Sequence, residues 1–125
     1  MAIFDALLGT SSTADPLQLT KKLDGILIAN ETVHIGFEVI RDFFAFTEKR
    51  IIIVDVQGYT SKKISYLSIP YRAITRFQVE TSGTFDIDSE LKIWVSGSDV
   101  PIEKQLKMGT DIRGIQQALA TGIFG

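Results

Sequence analysis

The spacing of apolar residues changes twice along this chain, and no other feature of the sequence constrains the fold as strongly. Between Glu31 and Met108, apolar and polar residues largely alternate, which is typical of half-buried β-strands. On both sides of that stretch, apolar residues recur at intervals of three and four, as on one face of an amphipathic helix. The pattern therefore predicts a mainly β domain with helices at its two ends.

Turn-forming residues divide the alternating stretch into seven strands. The short connections between them, such as Glu48-Lys49, require neighbouring strands to run antiparallel. An open sheet cannot cover its own apolar face, so this sheet has to bend or pack. The predicted strands cover residues 32–39, 43–47, 50–56, 63–69, 74–81, 85–95 and 102–108. The first of them should point its apolar residues to one face, namely Val33, Ile35, Phe37 and Val39.

Two short helices are predicted before the first strand. The first ends at Gly9 and is too short to be stable alone, so it has to dock on another surface. The second begins at Asp15-Pro16, where the carboxylate can accept from backbone amides and proline suits the first helical position, and it ends near Gly25. The apolar stripes are Ile3, Phe4, Leu7 and Leu8 in the first helix, and Leu19, Leu23 and Ile26 in the second.

The last helix is predicted over residues 110–122, with Thr110 as its cap and Gly122 at its end. The apolar stripe of this helix should cover the inner face of the bent sheet. The stripe consists of Ile112, Ile115, Leu119 and Ile123. The length favours one domain over residues 1–125. That domain comprises a helical extension over 1–27, strands over 31–108 and the final helix over 110–122.

The composition argues against several classes of function. The chain has no cysteine, which excludes disulfides, thiolate metal sites and thiol catalysis. It carries 13 Lys and Arg against 15 Asp and Glu, whereas nucleic-acid-binding domains usually have a basic excess. No signal peptide is expected, and no apolar run approaches the roughly 20 residues of a membrane span. We therefore expect a cytoplasmic protein that binds no nucleic acid.

Five stretches of sequence carry a more specific signal, namely Ile40–Asp55, Tyr66–Tyr71, Thr75–Phe77, Gly83–Asp86 and Glu90–Trp94. In these stretches, and in the order of seven strands followed by one helix, the chain resembles the bacterial pleckstrin-homology (PH) domain family. The resemblance implies a mainly β, PH-like fold: a seven-stranded bent antiparallel sheet or barrel with a C-terminal α-helix. It also implies ring-like homo-oligomers, which members of this family, largely of unknown function, are known to form.

Catalysis and metal binding find little support in the sequence. The single histidine, His34, lies mid-strand on the polar side of the alternation and is expected to be an ordinary surface or interface residue. Asp86, Asp88 and Glu90 would share one strand face, but no glycine is placed to converge them around a cation. We therefore expect no enzyme activity, no metal and no cofactor.

Three basic residues near the first two turns are weak candidates for binding an anion, namely Arg41, Lys49 and Arg50. Acidic neighbours at Asp42 and Glu48 offset much of their charge, and each basic residue contributes only about 1 kcal/mol at an anionic membrane. Lipid binding is therefore disfavoured, and the alternative function that we keep is binding of anionic lipid headgroups or other phosphorylated ligands at the membrane surface. For Arg50 we expect a structural ion pair instead.

The second and third strands break the alternation, because apolar residues follow one another over residues 43–46 and 51–54. One face of these strands belongs to the core, and something has to cover the other. Two covers are possible: the N-terminal helices of the same chain, or another subunit. We favour some subunit contact and predict a cyclic homo-oligomer that also offers a surface to a protein or peptide ligand. The candidate interface residues are Ile3, Phe4, Leu7, Leu8, Phe43, Ala45, Ile52 and Val54.

Overall fold

A computed structural model describes residues 13–39, 42–57, 63–81, 89–106 and 110–125. Several predicted features lie outside these residues: the first helix with its stripe, Arg41, Asp86, Asp88, and parts of the sixth and seventh predicted strands. The elements in chain order are β1 (Thr13–Ala14), α1 (Pro16–Lys22), β2 (Val33–Val39), β3 (Asp42–Thr47), β4 (Arg50–Gln57), β5 (Lys63–Pro70), a 3₁₀ helix (Tyr71–Ala73), β6 (Ile74–Glu80), β7 (Ser89–Val95), β8 (Ile102–Leu106) and α2 (Ile112–Phe124).

The strands form two antiparallel sheets. One sheet has the order β1-β2-β3-β4-β5, and the other has the order β6-β7-β8. The expected mainly β fold with a C-terminal helix is confirmed, with two sheets that do not close into a barrel. The two-residue strand β1, which pairs with Phe37 and Gly36 of β2, is an addition that the hydrophobic period does not predict.

The main core lies between the two sheets and is covered by α2. Ile115 and Leu119 of the predicted stripe are completely buried there, together with Ala118, whereas Ile112 and Ile123 are only partly buried. Tyr71 belongs to the same core, and its hydroxyl donates to the Thr47 carbonyl at 2.6 Å. Burial raises the pKa of this phenol far above its usual range, so the hydroxyl stays protonated and keeps its hydrogen bond.

Contrary to the prediction, strand β2 does not point all its apolar residues to one side. Val33 is opposite Thr47 and Ile35 is opposite Phe46, so His34 is the extra residue of a β-bulge. Because of this shift, Val33 belongs to a second apolar cluster on the outer face of the sheet, whereas Ile35 and Phe37 belong to the main core.

Helix α2 differs from the prediction at both ends. Its N-cap is Asp111, which accepts a hydrogen bond from the Gly114 amide at 3.1 Å, and not Thr110. The helix also continues through Gly122 to Phe124. Gly122 lies directly against the ring of Tyr71, where a β-carbon would overlap the ring. This glycine therefore permits a close approach to the core and does not terminate the helix.

Helix α1 packs on the other face of the larger sheet. Asp15 caps it by accepting from the Leu17 amide at 3.1 Å, and Pro16 is its first residue, as predicted. Leu19 and Leu23 are buried, and Leu19 lies so close to Gly36 that a β-carbon there would overlap its side chain. The missing side chain at Gly36 thus lets a seven-residue helix lie directly on the sheet.

Candidate functional site

The outer face of β3 and β4 is covered within the chain. The four candidate interface residues on this face, Phe43, Ala45, Ile52 and Val54, are all at most 8% exposed and pack with Leu19, Leu23 and Val33. The cover seen here is the first of the two predicted alternatives, an N-terminal helix of the same chain. Helix α1 and the turn after it supply it. Ala45 and Ile52 therefore present no surface to a neighbouring subunit, whereas Phe43 and Val54 retain 8 and 2% of theirs at the end of the covered face.

Strand β5 is the most exposed strand of the larger sheet. It pairs along its whole length with β4, and no described strand pairs with its other edge. Six of its eight residues, from Lys63 to Ser68, are exposed. Among them, Ile64, Tyr66 and Leu67 are large apolar residues with 46, 42 and 42% of their surface accessible.

An apolar groove of about 290 Å³ runs along the outer face beside β5. Tyr66 and Ile64 form one wall because they are opposite Val54 and Val56, which form its floor with Phe43. Lys22, at the end of α1, closes the other side, and its ammonium lies 5.5 Å from the centre of the Phe43 ring. This lysine is the only charged residue in the lining.

Arg50 is engaged in a structural contact, as expected. Its Nε and Nη2 donate to the two carboxylate oxygens of Glu31 at 2.9 and 2.8 Å, and the Glu31 side chain is fully buried. Two further N–H groups, one on Nη2 and one on Nη1, donate to the Ile26 carbonyl and the Ser68 hydroxyl, each at 2.9 Å. A guanidinium engaged in this way has little capacity left for a ligand anion.

The environment of Glu31 favours its ionised form. The hydrogen bonds from Arg50 lower its pKa to about 2, and those from the Thr47 hydroxyl and the Ile28 amide add to the effect against the cost of burial. The same pair raises the pKa of Arg50. The contact thus ties the turn after α1 to β3 and β4.

Among the described residues, the other predicted site residues are not brought together. Lys49 is exposed in the turn between β3 and β4, and Arg41 lies outside the described residues. His34 faces Glu48, with 3.5 Å between Nε2 and Oε2. Glu90 lies 3.7 Å from Lys92, and the described part of the chain contains no cluster of three potential metal ligands.

A second ionic contact joins the two sheets. The Lys104 ammonium on β8 lies 2.8 Å from Asp55 on β4 and 3.6 Å from Asp42 on β3. The hydrogen bond from Lys104 lowers the pKa of Asp55. A further basic residue is therefore committed within the fold.

A second hollow, of about 330 Å³, lies beside the loop that follows β7. Arg76 covers the Trp94 ring there, with the guanidinium carbon 4.5 Å from the ring centre, and Asp99 is also in the lining. Because the cation is stacked and a carboxylate lies nearby, this hollow is a poor site for an anion.

The sequence predicts strand β5 but not its role as an exposed edge. The signal was present, since Ile64 and Tyr66 occupy one face of the strand while Leu67 and Ile69 occupy the other. Apolar residues on both faces indicate a need for cover, as they do on the two strands before it.

No helix in the described part of the chain is long and apolar enough to cross a membrane.

Comparison with known proteins identifies relatives along most of the chain. The family model for the bacterial PH domain matches residues 2–123. The uncharacterized protein YjqA of Bacillus subtilis (strain 168) is 48% identical over 121 residues, which cover 96% of this chain and 97% of that protein.

Two solved structures share the fold. A PH domain from Shewanella amazonensis SB2B is 51% identical, with a TM-score of 0.83 over 97% of this chain and 98% of the other. A DUF1696 family protein with a PH domain from Shewanella loihica PV-4 is 49% identical, with a TM-score of 0.78 over 90% of this chain and 96% of the other.

Proposed function

Because this chain belongs to the bacterial PH domain family, we propose that it is a non-catalytic interaction module that assembles with copies of itself through the exposed side of β5. The observation that carries the proposal is the contrast between two neighbouring strands. Residues Ile51 to Val54 of β4 are at most 2% exposed, whereas β5 is exposed from Lys63 to Ser68. One strand is thus fully covered by its own chain and the next is left open.

An exposed strand edge is suited to pairing with another strand, because its unpaired amide and carbonyl groups offer a row of hydrogen bonds. Proteins that keep such an edge unpaired commonly place lysine or proline on it. Here Lys63 and Pro70 stand only at the two ends of β5. The middle of the strand carries Ile64, Tyr66 and Leu67 and lacks that protection.

The assembly we propose is cyclic. If the edge of β5 meets a different surface of the next subunit, each contact is head-to-tail, and a closed rotation produces a ring. This agrees with the ring-like assemblies that the resemblance implies. A protein or peptide ligand laid against a strand edge would use the same chemistry, so the ring and such a ligand would compete for β5.

Recognition of anionic lipid is the alternative, and the described charges argue against it. Arg50 is held by Glu31, and Lys104 is held by Asp55 and Asp42. The formal net charge of −2 provides no general attraction to an anionic surface. Co-sedimentation with anionic vesicles that rises strongly at low salt would favour the lipid function over the one proposed.

The test of the proposal is the mass of the protein in solution. Light scattering at tens of micromolar should give a multiple of the 13.8 kDa chain mass. The variant Leu67→Lys places a charge in the middle of the exposed strand and should reduce that mass. Val100→Lys changes a residue that is 75% exposed but lies in the loop before β8, so it should leave the mass unchanged. A wild-type protein of single-chain mass would overturn the proposal.

A further inference from the structure

The apolar groove between α1 and β5 has no occupant among the described residues, yet its walls are those of a binding site for an amphipathic segment. Its floor continues the cluster that α1 covers, because Phe43 and Val54 belong to both. Its outer wall, Ile64 and Tyr66, is still more than two-fifths exposed. The groove therefore lies at the end of the apolar surface that the seven-residue helix α1 covers, and its outer wall is the part that remains exposed.

The twelve residues that precede β1 have the composition of a suitable occupant. In a helix, Ile3, Phe4, Leu7 and Leu8 would form one apolar stripe, and so short a helix needs a surface on which to dock. Asp5 borders that stripe and is the only charged side chain before Asp15. Lys22 is the only charged side chain in the groove lining, so the charges of the segment and the groove are complementary.

The position of β1 decides which copy supplies the segment. Thr13 is on β1, at the far edge of the sheet from β5, and the outer wall of the groove, Ile64 and Tyr66 on β5, lies four strand spacings away, roughly 19 Å across the sheet. The link from Leu8 to Thr13 spans at most roughly 18 Å when fully extended. A link at its limit has no slack to turn the stripe onto the groove, whereas a segment from a neighbouring copy has no such constraint.

We propose that the groove formed by Lys22, Phe43, Val54, Val56, Ile64 and Tyr66 binds the N-terminal segment of a neighbouring copy of this chain, with Ile3, Phe4, Leu7 and Leu8 against the groove and Asp5 beside Lys22. The inference rests on the proposed self-assembly and adds, to the pairing at the β5 edge, a second contact on the outer face beside that edge. Segment and groove are different parts of the chain, so the contact is head-to-tail and can propagate around a ring.

Cysteine cross-linking tests this contact cleanly because the chain contains no cysteine. The full-length variant with Leu8→Cys and Ile64→Cys is treated with a short bismaleimide and run on a denaturing gel. A head-to-tail contact should give a ladder of covalent dimers, trimers and larger species. The matched control combines Leu8→Cys with Val100→Cys, which is more exposed than Ile64 and lies away from the groove, and it should give little ladder.

The outcomes separate this inference from the proposed self-assembly. A cross-linked species that migrates as one chain would show that the segment occupies its own groove and would overturn the inference. A ladder of equal yield in the control would also overturn the inference. The absence of a cross-link in a protein whose light scattering still reports an oligomer would overturn it too, but would leave the proposed self-assembly standing. If light scattering reports a single chain and no cross-link forms, both fall. A second variant, Tyr66→Lys, should abolish the ladder while retaining cooperative thermal unfolding.

Discussion

At the scale of single residues, Glu31 and Arg50 show how one buried contact decides which functions remain open. Arg50 directs its guanidinium to a fully buried carboxylate 19 residues earlier in the chain, and both carboxylate oxygens are used. An arginine that is removed from such a pair leaves an uncompensated buried charge, which is costly. The residue therefore stabilises the fold and is not available to attract an anion.

The pH dependence of stability should reveal this pair. Because the pKa of Glu31 is about 2 in the folded protein and 4.5 ordinarily, its contribution is complete above pH 4.5 and is lost as the pH falls towards 2. The variant Glu31→Gln should lower the free energy of unfolding by about 3 kcal/mol at neutral pH. The gap between wild type and variant should then shrink below pH 4.5.

Urea unfolding at neutral and acidic pH measures this difference. Glu103→Gln is the control, since Glu103 is exposed on β8, and it should change stability little at either pH. A gap for Glu31→Gln that stays constant down to the pKa of about 2 would contradict the role assigned to the pair.

At the scale of elements, the contact of α1 with β2 determines how the outer face of the sheet is covered. Gly36 permits it, because any β-carbon at that position would overlap the Leu19 side chain. Gly36→Ala should therefore cost about 1–3 kcal/mol by forcing the helix away from the sheet. In a Leu19→Ala background the same change should cost much less, because the overlapping atoms are gone.

A double-mutant cycle in denaturant measures that coupling. Equal costs of Gly36→Ala in both backgrounds would mean that the glycine matters for another reason, such as the flexibility of β2.

The elements also show what the sequence could predict. The hydrophobic period and the capping chemistry are local properties: the period predicted the strands and the stripe of α2, and the carboxylate before Pro16 predicted the cap of α1 at Asp15. The apolar runs at residues 43–46 and 51–54 predicted that both faces of these strands needed cover. Which element supplies this cover could not be predicted from the sequence. The answer depends on a tertiary contact, the close approach of α1 at Gly36. The bulge at His34 and the passage of α2 through Gly122 escaped prediction for the same reason.

At the scale of the whole molecule, two apolar clusters share strands β3 and β4. Helix α2 and the second sheet cover one face, and α1 covers the other. Strand β5 extends beyond both covers, and the groove lies between it and α1. Strand order is not encoded in the hydrophobic period, so the sequence alone could not identify β5 as the exposed edge.

Hydrogen–deuterium exchange at two protein concentrations tests most directly whether this edge is an assembly surface. If subunits pair through β5, amides of residues 63–69 should exchange more slowly in concentrated protein than after dilution below the association range. Amides of β7, the central strand of the smaller sheet, should exchange at the same rate in both samples. Unchanged exchange in β5, in a protein whose mass falls on dilution, would contradict the account and place the subunit contact elsewhere.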